Sequence, residues 1–155
     1  MPISIEDEIR QTRPFAHPSL RAVVSLLRTA TVLEHATNEA LRPQGITLTQ
    51  YNVLRFLRGA GRRGLCGREV RERLISPVPD VSRLLDRMAE TGLVSRVRDA
   101  ADRRHVTARI APKGRRLLAA ATPLVEGLAR RRFDRLGTAA TDRLVDALAV
   151  VRQPA

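Results

Sequence analysis

Apolar residues recur every three or four positions over residues 17–42, and this spacing predicts a long helix near the N-terminal end. The apolar positions are Leu20, Val23, Val24, Leu26, Leu27, Ala30, Leu33, Ala36 and Ala40. They occupy more than one face of the helix, so the helix needs cover on more than one side. Because few other residues of the chain are free to supply that cover, we expect a second subunit to do so.

Three shorter helices follow the first. One opens at Thr47 or Thr49, one covers about residues 67–75, and one begins near Ser76. Ser76 is the expected N-cap of this last helix, and Pro77 occupies its first turn. Two short helices joined by a turn predict a helix–turn–helix motif.

After this motif the apolar period changes from 3.6 to 2. Residues 93–98 and 105–110 read as two strands, and the six residues between them form the loop of an antiparallel hairpin. Pro112 begins another long helix, and Gly137 separates it from a final one. This order predicts a mainly α chain with a small β wing, in which a winged helix–turn–helix domain is flanked by N- and C-terminal dimerisation helices.

The charge of the chain is concentrated in its middle region. The 155 residues carry 28 basic and 16 acidic side chains, a formal net charge of +12. Five basic and five acidic residues fall in the expected N-terminal arm (residues 1–45), seventeen and seven in the winged region (46–116), and six and four in the C-terminal helices (117–155). A local excess of this kind indicates a polyanionic partner, and all but one of the basic residues are Arg, which suits phosphate and guanine. We therefore expect double-stranded DNA to bind the middle region.

The helix that follows the turn has two contrasting faces. Its inward face contains Val81, Leu84, Leu85 and Met88. Its outward face presents Pro79, Ser82, Arg83, Asp86 and Arg87. Ser and Arg side chains on such a face can bond base edges in a DNA major groove, although an ordinary solvated face has the same composition.

The hairpin favours the DNA-binding alternative. Its loop carries Asp102-Arg103-Arg104, and an Arg at a hairpin tip can enter the minor groove beside a recognition helix. Asp102 is expected to pair with an Arg and hold the loop in shape. The predicted DNA-binding residues are therefore Ser76, Pro79, Ser82, Arg83, Arg87, Arg103 and Arg104.

A series of short motifs occurs in one order along the chain. They are Leu48-Thr49-Gln50-Tyr51, Val53-Leu54, Glu69-Val70, the run from Val81 to Met88, Gly92-Leu93-Val94, Asp102-Arg103-Arg104 and Pro112-Lys113-Gly114. Over about residues 20–150 this set resembles the MarR family of bacterial winged-helix regulators. The resemblance implies a homodimer with interlocked terminal helices that binds a pseudo-palindromic operator, as a transcriptional repressor released by a small anionic or phenolic ligand. Ala111 departs from the Thr that the family usually has before Pro112.

The resemblance also implies a ligand pocket where the first, second and fifth helices meet the DNA-binding lobe. His17, Arg21, Tyr51 and Arg55 can present polar groups there. The alternative, in which Tyr51 is a core residue and the other three lie on the surface, is at least as well supported by the sequence.

Other classes of function have less support. Cys66, the single cysteine, excludes an internal disulfide, but its neighbours Arg62, Arg63 and Arg68 favour a thiolate, so redox sensing is one alternative. An architectural DNA-binding protein without an effector is another. Three scattered histidines and the lack of a catalytic set predict no metal, no cofactor and no enzymatic activity, and three Phe and one Tyr are too few for RNA stacking. We expect a cytoplasmic protein with no membrane span.

Overall fold

The computed structural model describes residues 3–98 and 106–154, which form seven α-helices and three β-strands. The helices are α1 (Ile5–Glu8), α2 (Pro18–Leu41), α3 (Leu48–Ala60), α4 (Gly67–Arg73), α5 (Val81–Glu90), α6 (Pro112–Phe133) and α7 (Thr138–Val151). The strands are β1 (Leu65–Cys66), β2 (Val94–Arg98) and β3 (Val106–Ile110). The predicted fold, mainly helical with a small β wing, is confirmed.

The wing is a three-stranded antiparallel sheet with β3 at its centre. Strand β2 pairs with β3 so that Val94 lies opposite Ile110, which confirms the predicted hairpin. On the other edge β1 places Leu65 opposite Ala108. The sequence pattern did not predict β1, because two residues are too few to show an alternation. The hairpin tip, with Asp102, Arg103 and Arg104, lies outside the described residues.

The hydrophobic core lies between α3, α5, the wing and the first half of α6. Its largest fully buried side chains are Leu41, Val53, Leu54, Leu57, Leu65, Val70, Val81, Leu85, Met88 and Leu118. Tyr51 is also buried, at 4% exposure, which agrees with its interpretation as a core residue. Helix α3 begins with a capping box, in which Thr47 accepts from the Gln50 backbone N–H and the Gln50 side chain accepts from the Thr47 backbone N–H.

The Pro112-Lys113-Gly114 motif joins the end of α5 to the start of α6. The Lys113 Nζ donates a 2.7 Å hydrogen bond to the carbonyl of Thr91, the residue that ends α5. At Gly114 a Cβ would overlap the Leu93 carbonyl oxygen and press on Ile110 and Leu54. The motif therefore lets α6 pack directly against the junction between α5 and β2, and only glycine at this position leaves room for so close an approach.

The start of α5 differs from the sequence prediction. Its N-cap is Asp80, whose carboxylate accepts the Arg83 backbone N–H at 2.9 Å, and Ser76 is not a cap. Pro79 lies before the helix and not on its outward face. The physical reason is that a residue preceding proline is driven away from helical angles, so Pro79 keeps Val78 out of the helix. The other predicted helix boundaries agree with the structure to within two residues.

The terminal helices differ from the middle region in how little they bury. Helix α7 contains no buried residue, and in α2 the only buried residue is Leu41. Large apolar side chains are exposed along both helices: Leu20, Val23, Leu27, Leu144, Val145, Val150 and Val151. None of the described helices is long and apolar enough to cross a membrane.

Candidate nucleic-acid interface

Helix α5 separates its apolar and polar residues cleanly between two faces. Val81, Leu85 and Met88 are each at most 1% exposed and pack into the core. Ser82, Arg83, Asp86 and Arg87 are all exposed on the opposite side. The structure therefore confirms which face of α5 is open, and that face carries the serine and the two arginines of the predicted DNA-binding set.

Arg96 of strand β2 ties the wing to this helix. Its Nη1 donates to the Ser82 carbonyl at 3.1 Å and to the Ser82 Oγ at 3.2 Å, and it also pairs with the Asp86 carboxylate. The Arg96 Nε is buried and has no hydrogen-bond partner among the described residues. A half-buried guanidinium held in this way keeps the orientation of α5 relative to the wing.

This contact refines the roles within the candidate interface. The Ser82 Oγ accepts from Arg96, which leaves its hydroxyl proton as the group that can be donated to a phosphate or a base. The Asp86 carboxylate pairs with Arg96 of β2 and not with Arg83 or Arg87, the arginines on its own helix. Arg83 and Arg87 make no ion pair with any other described residue, so their guanidinium groups are available to a ligand. Sequence reasoning missed the role of Arg96 because the contact spans ten residues and two elements.

Of the remaining predicted DNA-binding residues, the structure describes Ser76 and Pro79, and neither lies on α5. Ser76 and Pro79 belong to the exposed connection between α4 and α5. Arg103 and Arg104 fall in the part of the chain that the structure does not describe. Strand β2 lies beside α5, and β2 and β3 each carry an exposed arginine, Arg98 and Arg109.

Cys66 lies at the N-terminus of α4, beside a tightly held carboxylate. Its backbone N–H donates to Glu69 at 2.8 Å, and Arg63 donates to the other oxygen of Glu69 at 2.7 Å. These two contacts lower the pKa of Glu69 to about 2, with the backbone hydrogen bond the larger cause. Arg68 pairs with Glu72 at 3.2 Å. Two of the three arginines expected to favour a thiolate at Cys66 therefore have carboxylate partners.

The four candidate ligand-binding residues occupy two separate places. His17 caps α2 by accepting the Ser19 backbone N–H, and Arg21 pairs with Glu6 of α1 through two contacts of 2.6 and 3.3 Å. Tyr51 and Arg55 lie together on α3, where the guanidinium carbon is 5.8 Å from the centre of the Tyr51 ring. Arg21 lines a recess between α1 and α2, whereas the Tyr51 hydroxyl lies 3.5 Å from Thr122 of α6.

A partly enclosed cavity is lined by a different set of residues. It lies between α2, α3 and the α4–α5 connection and has a volume of about 240 Å³. Leu33, Leu48 and Leu74 form apolar parts of its wall. Asn52, a polar residue that is only 4% exposed, also lines it. Sequence reasoning did not select this cavity, because its polar residue falls on the inward face of a helix among apolar neighbours.

A recognition helix with an open Ser/Arg face, held against a three-stranded wing, defines a winged helix–turn–helix DNA-binding protein. Residues 44–105 match the sequence model of the MarR family. Over these residues the chain is similar to the MarR family of transcriptional regulators, and its fold matches solved members of that family. No curated protein is similar enough in sequence to count as a match.

Solved structures support the same assignment over nearly the whole chain. The transcriptional repressor CouR bound to a 23-mer DNA duplex is 26% identical, covers 91% of this chain and 100% of its own, and has a TM-score of 0.77. CouR from Rhodococcus jostii RHA1 bound to p-coumaroyl-CoA is 28% identical, with coverages of 91% and 98% and a TM-score of 0.70. Sco3205, a MarR family regulator from Streptomyces coelicolor in complex with DNA, is 25% identical, with coverages of 92% and 96% and a TM-score of 0.79.

Proposed function

We propose that this regulator is a homodimeric repressor that binds a pseudo-palindromic operator and is released by a small effector. The observation that carries the DNA-binding part is the open face of α5, on which Ser82, Arg83 and Arg87 are exposed. Arginine can form a two-bond contact with guanine O6 and N7, and a serine hydroxyl can bond a phosphate or a base edge. Arg103 and Arg104 at the wing tip are proposed to contact the adjacent minor groove.

The dimeric state follows from the apolar surface that one chain leaves uncovered. Leu27 is 64% exposed on α2, and Val150 and Val151 are each 67% exposed on α7. A second copy of the same two helices would cover these residues and produce a two-fold symmetric assembly. In this proposal residues 1–45 and 117–155 are the dimerisation regions, and residues 46–116 are the DNA-binding region.

Two-fold symmetry of the protein predicts two-fold symmetry of the operator. Both recognition helices must reach successive major grooves, which are about 34–36 Å apart for half-sites separated by one helical turn. The DNA-bound CouR and Sco3205 structures, whose folds match this chain, support binding of DNA by a protein of this fold.

Regulation by a small molecule is the second part of the proposal. The CouR structure with p-coumaroyl-CoA supports effector binding in a protein of this fold. An effector that binds the DNA-free form about 5- to 150-fold more tightly supplies a coupling of roughly 1–3 kcal/mol, sufficient to release an operator. The anionic or phenolic class, bound by His17, Arg21, Tyr51 and Arg55, stays a prediction.

The operator can be found by selecting bound duplexes from random DNA and then footprinting the full-length protein on the selected site. We expect a protected site with two symmetric halves. Uniform, weak protection over every duplex would instead identify an architectural DNA-binding protein and contradict the proposal.

Substitution of Arg83 tests whether this residue recognises a base pair of the operator. Arg83→Ala is expected to weaken binding to the selected site by about 1–3 kcal/mol and to relax the preference at one base pair in each half-site. Arg58→Ala removes the same charge from an exposed position on another helix, α3, outside the proposed dimerisation regions, and serves as the control. Equal losses on specific and random duplexes would show that Arg83 contacts phosphate only.

A further inference from the structure

The cavity between α2, α3 and the α4–α5 connection has a lining whose charge is opposite to that of the chain as a whole. The chain carries a net charge of +12, yet none of the described residues that line this cavity is basic. Glu34 is its only ionisable residue, and no described residue forms an ion pair with it. An anion that entered this cavity would meet a carboxylate and no cation.

Asn52 supplies a second, independent feature of the same cavity. The residue is 4% exposed, and no hydrogen bond joins its side-chain amide to another described residue. Among the described residues the buried side-chain polar atom without a partner is the Nε of Arg96, so the unpartnered amide of Asn52 is not sealed from solvent and keeps access to the cavity. An amide that lines a cavity and lacks a protein partner is suited to bond a molecule that enters the cavity.

The rest of the lining sets the size and shape of such a molecule. Leu33, Leu48 and Leu74 form an apolar wall, and Ile75, which is 74% exposed, lies at the edge. The volume of about 240 Å³ corresponds to roughly eight water molecules at about 30 Å³ each, which is enough for a compact one-ring compound. The lining therefore combines an apolar surface, a hydrogen-bonding amide and one negative charge.

We infer that this cavity binds a small amphipathic amine, with the apolar body against the leucines, a polar atom on Asn52 and the ammonium group near Glu34. This inference rests on the proposed function, since it names the chemical class of effector for this regulator. It differs from the anionic or phenolic class that the family resemblance implies, and it uses none of the four residues first selected for ligand binding.

The position of the cavity connects it to the DNA-binding face. Leu74, Ile75 and Ser76 line it, and they belong to the segment that leads directly into α5. The same cavity is bounded by α2, one of the helices proposed to dimerise. A bound amine therefore touches both the segment that positions the recognition helix and the helix that positions the second subunit, which gives it differential contacts with two arrangements of the dimer.

The test measures binding to the full chain without DNA, so that its outcome is independent of the operator. Three compounds of one shape are compared by calorimetry and by ligand-induced thermal shift: benzylamine, benzyl alcohol and benzoate. We expect benzylamine to bind most tightly and benzoate most weakly. Benzoate binding as tightly as benzylamine, or no binding of benzylamine, overturns the inference.

Two glutamates on α2 provide matched variants. Glu34→Gln is expected to weaken benzylamine binding about fivefold, the effect of losing one exposed charge pair, and to leave benzyl alcohol binding unchanged. Glu39→Gln is the control, because Glu39 pairs with Arg42 and does not line this cavity. Equal benzylamine affinities of the wild type and Glu34→Gln overturn the inference. A protein that binds benzylamine as expected but protects no DNA site instead contradicts the proposed function alone.

Discussion

The DNA-binding lobe and the terminal helices of this chain bury their apolar residues to different extents. In the lobe the apolar face of α5 is covered by the rest of the same chain, and Val81, Leu85 and Met88 are almost completely buried. In α7 the apolar residues have no such cover, and Val145 is 56% exposed. The lobe buries its apolar face within one chain, whereas the terminal helices leave large apolar side chains exposed. The stability of the two regions should therefore respond to different changes.

The largest effect is expected where the terminal helices lack cover. Val145→Asp would place an unpaired charge in the proposed subunit interface, at a cost of about 3–5 kcal/mol, and convert the dimer to monomer at micromolar concentration. Sedimentation velocity over a range of concentrations measures this. Val97→Asp makes the same change in β2 of the lobe, at a residue that is 38% exposed, and should leave the dimer intact. A dimer unaffected by Val145→Asp would contradict the proposed role of α7.

A smaller effect is expected from adding a methyl group to the packed core of the DNA-binding lobe. Gly114→Ala would place a methyl group against the Leu93 carbonyl oxygen and should destabilise the chain by about 1–3 kcal/mol. Gly59→Ala offers the matched control, because Gly59 lies inside α3 with open space around its Cα. That change should stabilise the helix by up to about 1 kcal/mol. Thermal or urea unfolding measures both, and effects of the same sign would refute this account of the motif.

The start of α6 offers a gain in stability. Ala111 is the N-cap of this helix and provides no side-chain hydrogen bond to it. Ala111→Thr supplies a hydroxyl that can accept a backbone N–H of the first turn, and it should raise the free energy of unfolding by about 0.5–2 kcal/mol. Ala111→Val has the same shape without the hydroxyl and should give no such gain. An equal gain from both variants would assign the effect to packing.

The smallest expected effect depends on pH. Because the pKa of Glu69 is lowered from 4.5 to about 2 in the folded chain, its contacts stabilise the fold above pH 4.5, and this contribution is lost as the pH falls towards 2. The melting temperature of Glu69→Gln should therefore lie below that of the wild type at neutral pH, and the difference should shrink on acidification. Calorimetry between pH 7 and pH 2 measures this, and a difference that is constant with pH would exclude Glu69 as its source.

The sequence predicted those parts of the fold that depend on periodicity. Helices α2, α5, α6 and α7 each contain enough turns to show an apolar stripe. Of the four residues predicted on the inward face of α5, Val81, Leu85 and Met88 are buried, and Leu84 is partly buried against the same core. Strand β1 was missed because its two residues carry no period. Serine followed by proline is typical of a helix start and favours Ser76, but Pro79 keeps Val78 out of helical angles, so α5 begins only after Asp80.

The candidate site was predictable only where it is local in sequence. Ser82, Arg83 and Arg87 follow from one helix, and the structure places them together on one open face. The link from Arg96 to Ser82 and Asp86 depends on how the wing lies against α5, and the cavity at Asn52 depends on how α2 and α3 diverge. Such contacts join residues from different elements, and the apolar period of one element holds no information about them.

The hydrogen bond from Lys113 to Thr91 has a practical consequence. The chain contains a single lysine, and the ammonium group of that lysine lies at the C-terminal end of the recognition helix. Acylating dyes and spin labels react with Lys113 as the single side-chain amine and also with the α-amine of the chain, so blocking the α-amine first confines the label to the start of α6, beside the end of the recognition helix. In a dimer, the distance between the two labels reports the separation of the two recognition helices directly. The change in this distance when DNA or an amine is added measures how far the recognition helices move in the regulatory transition.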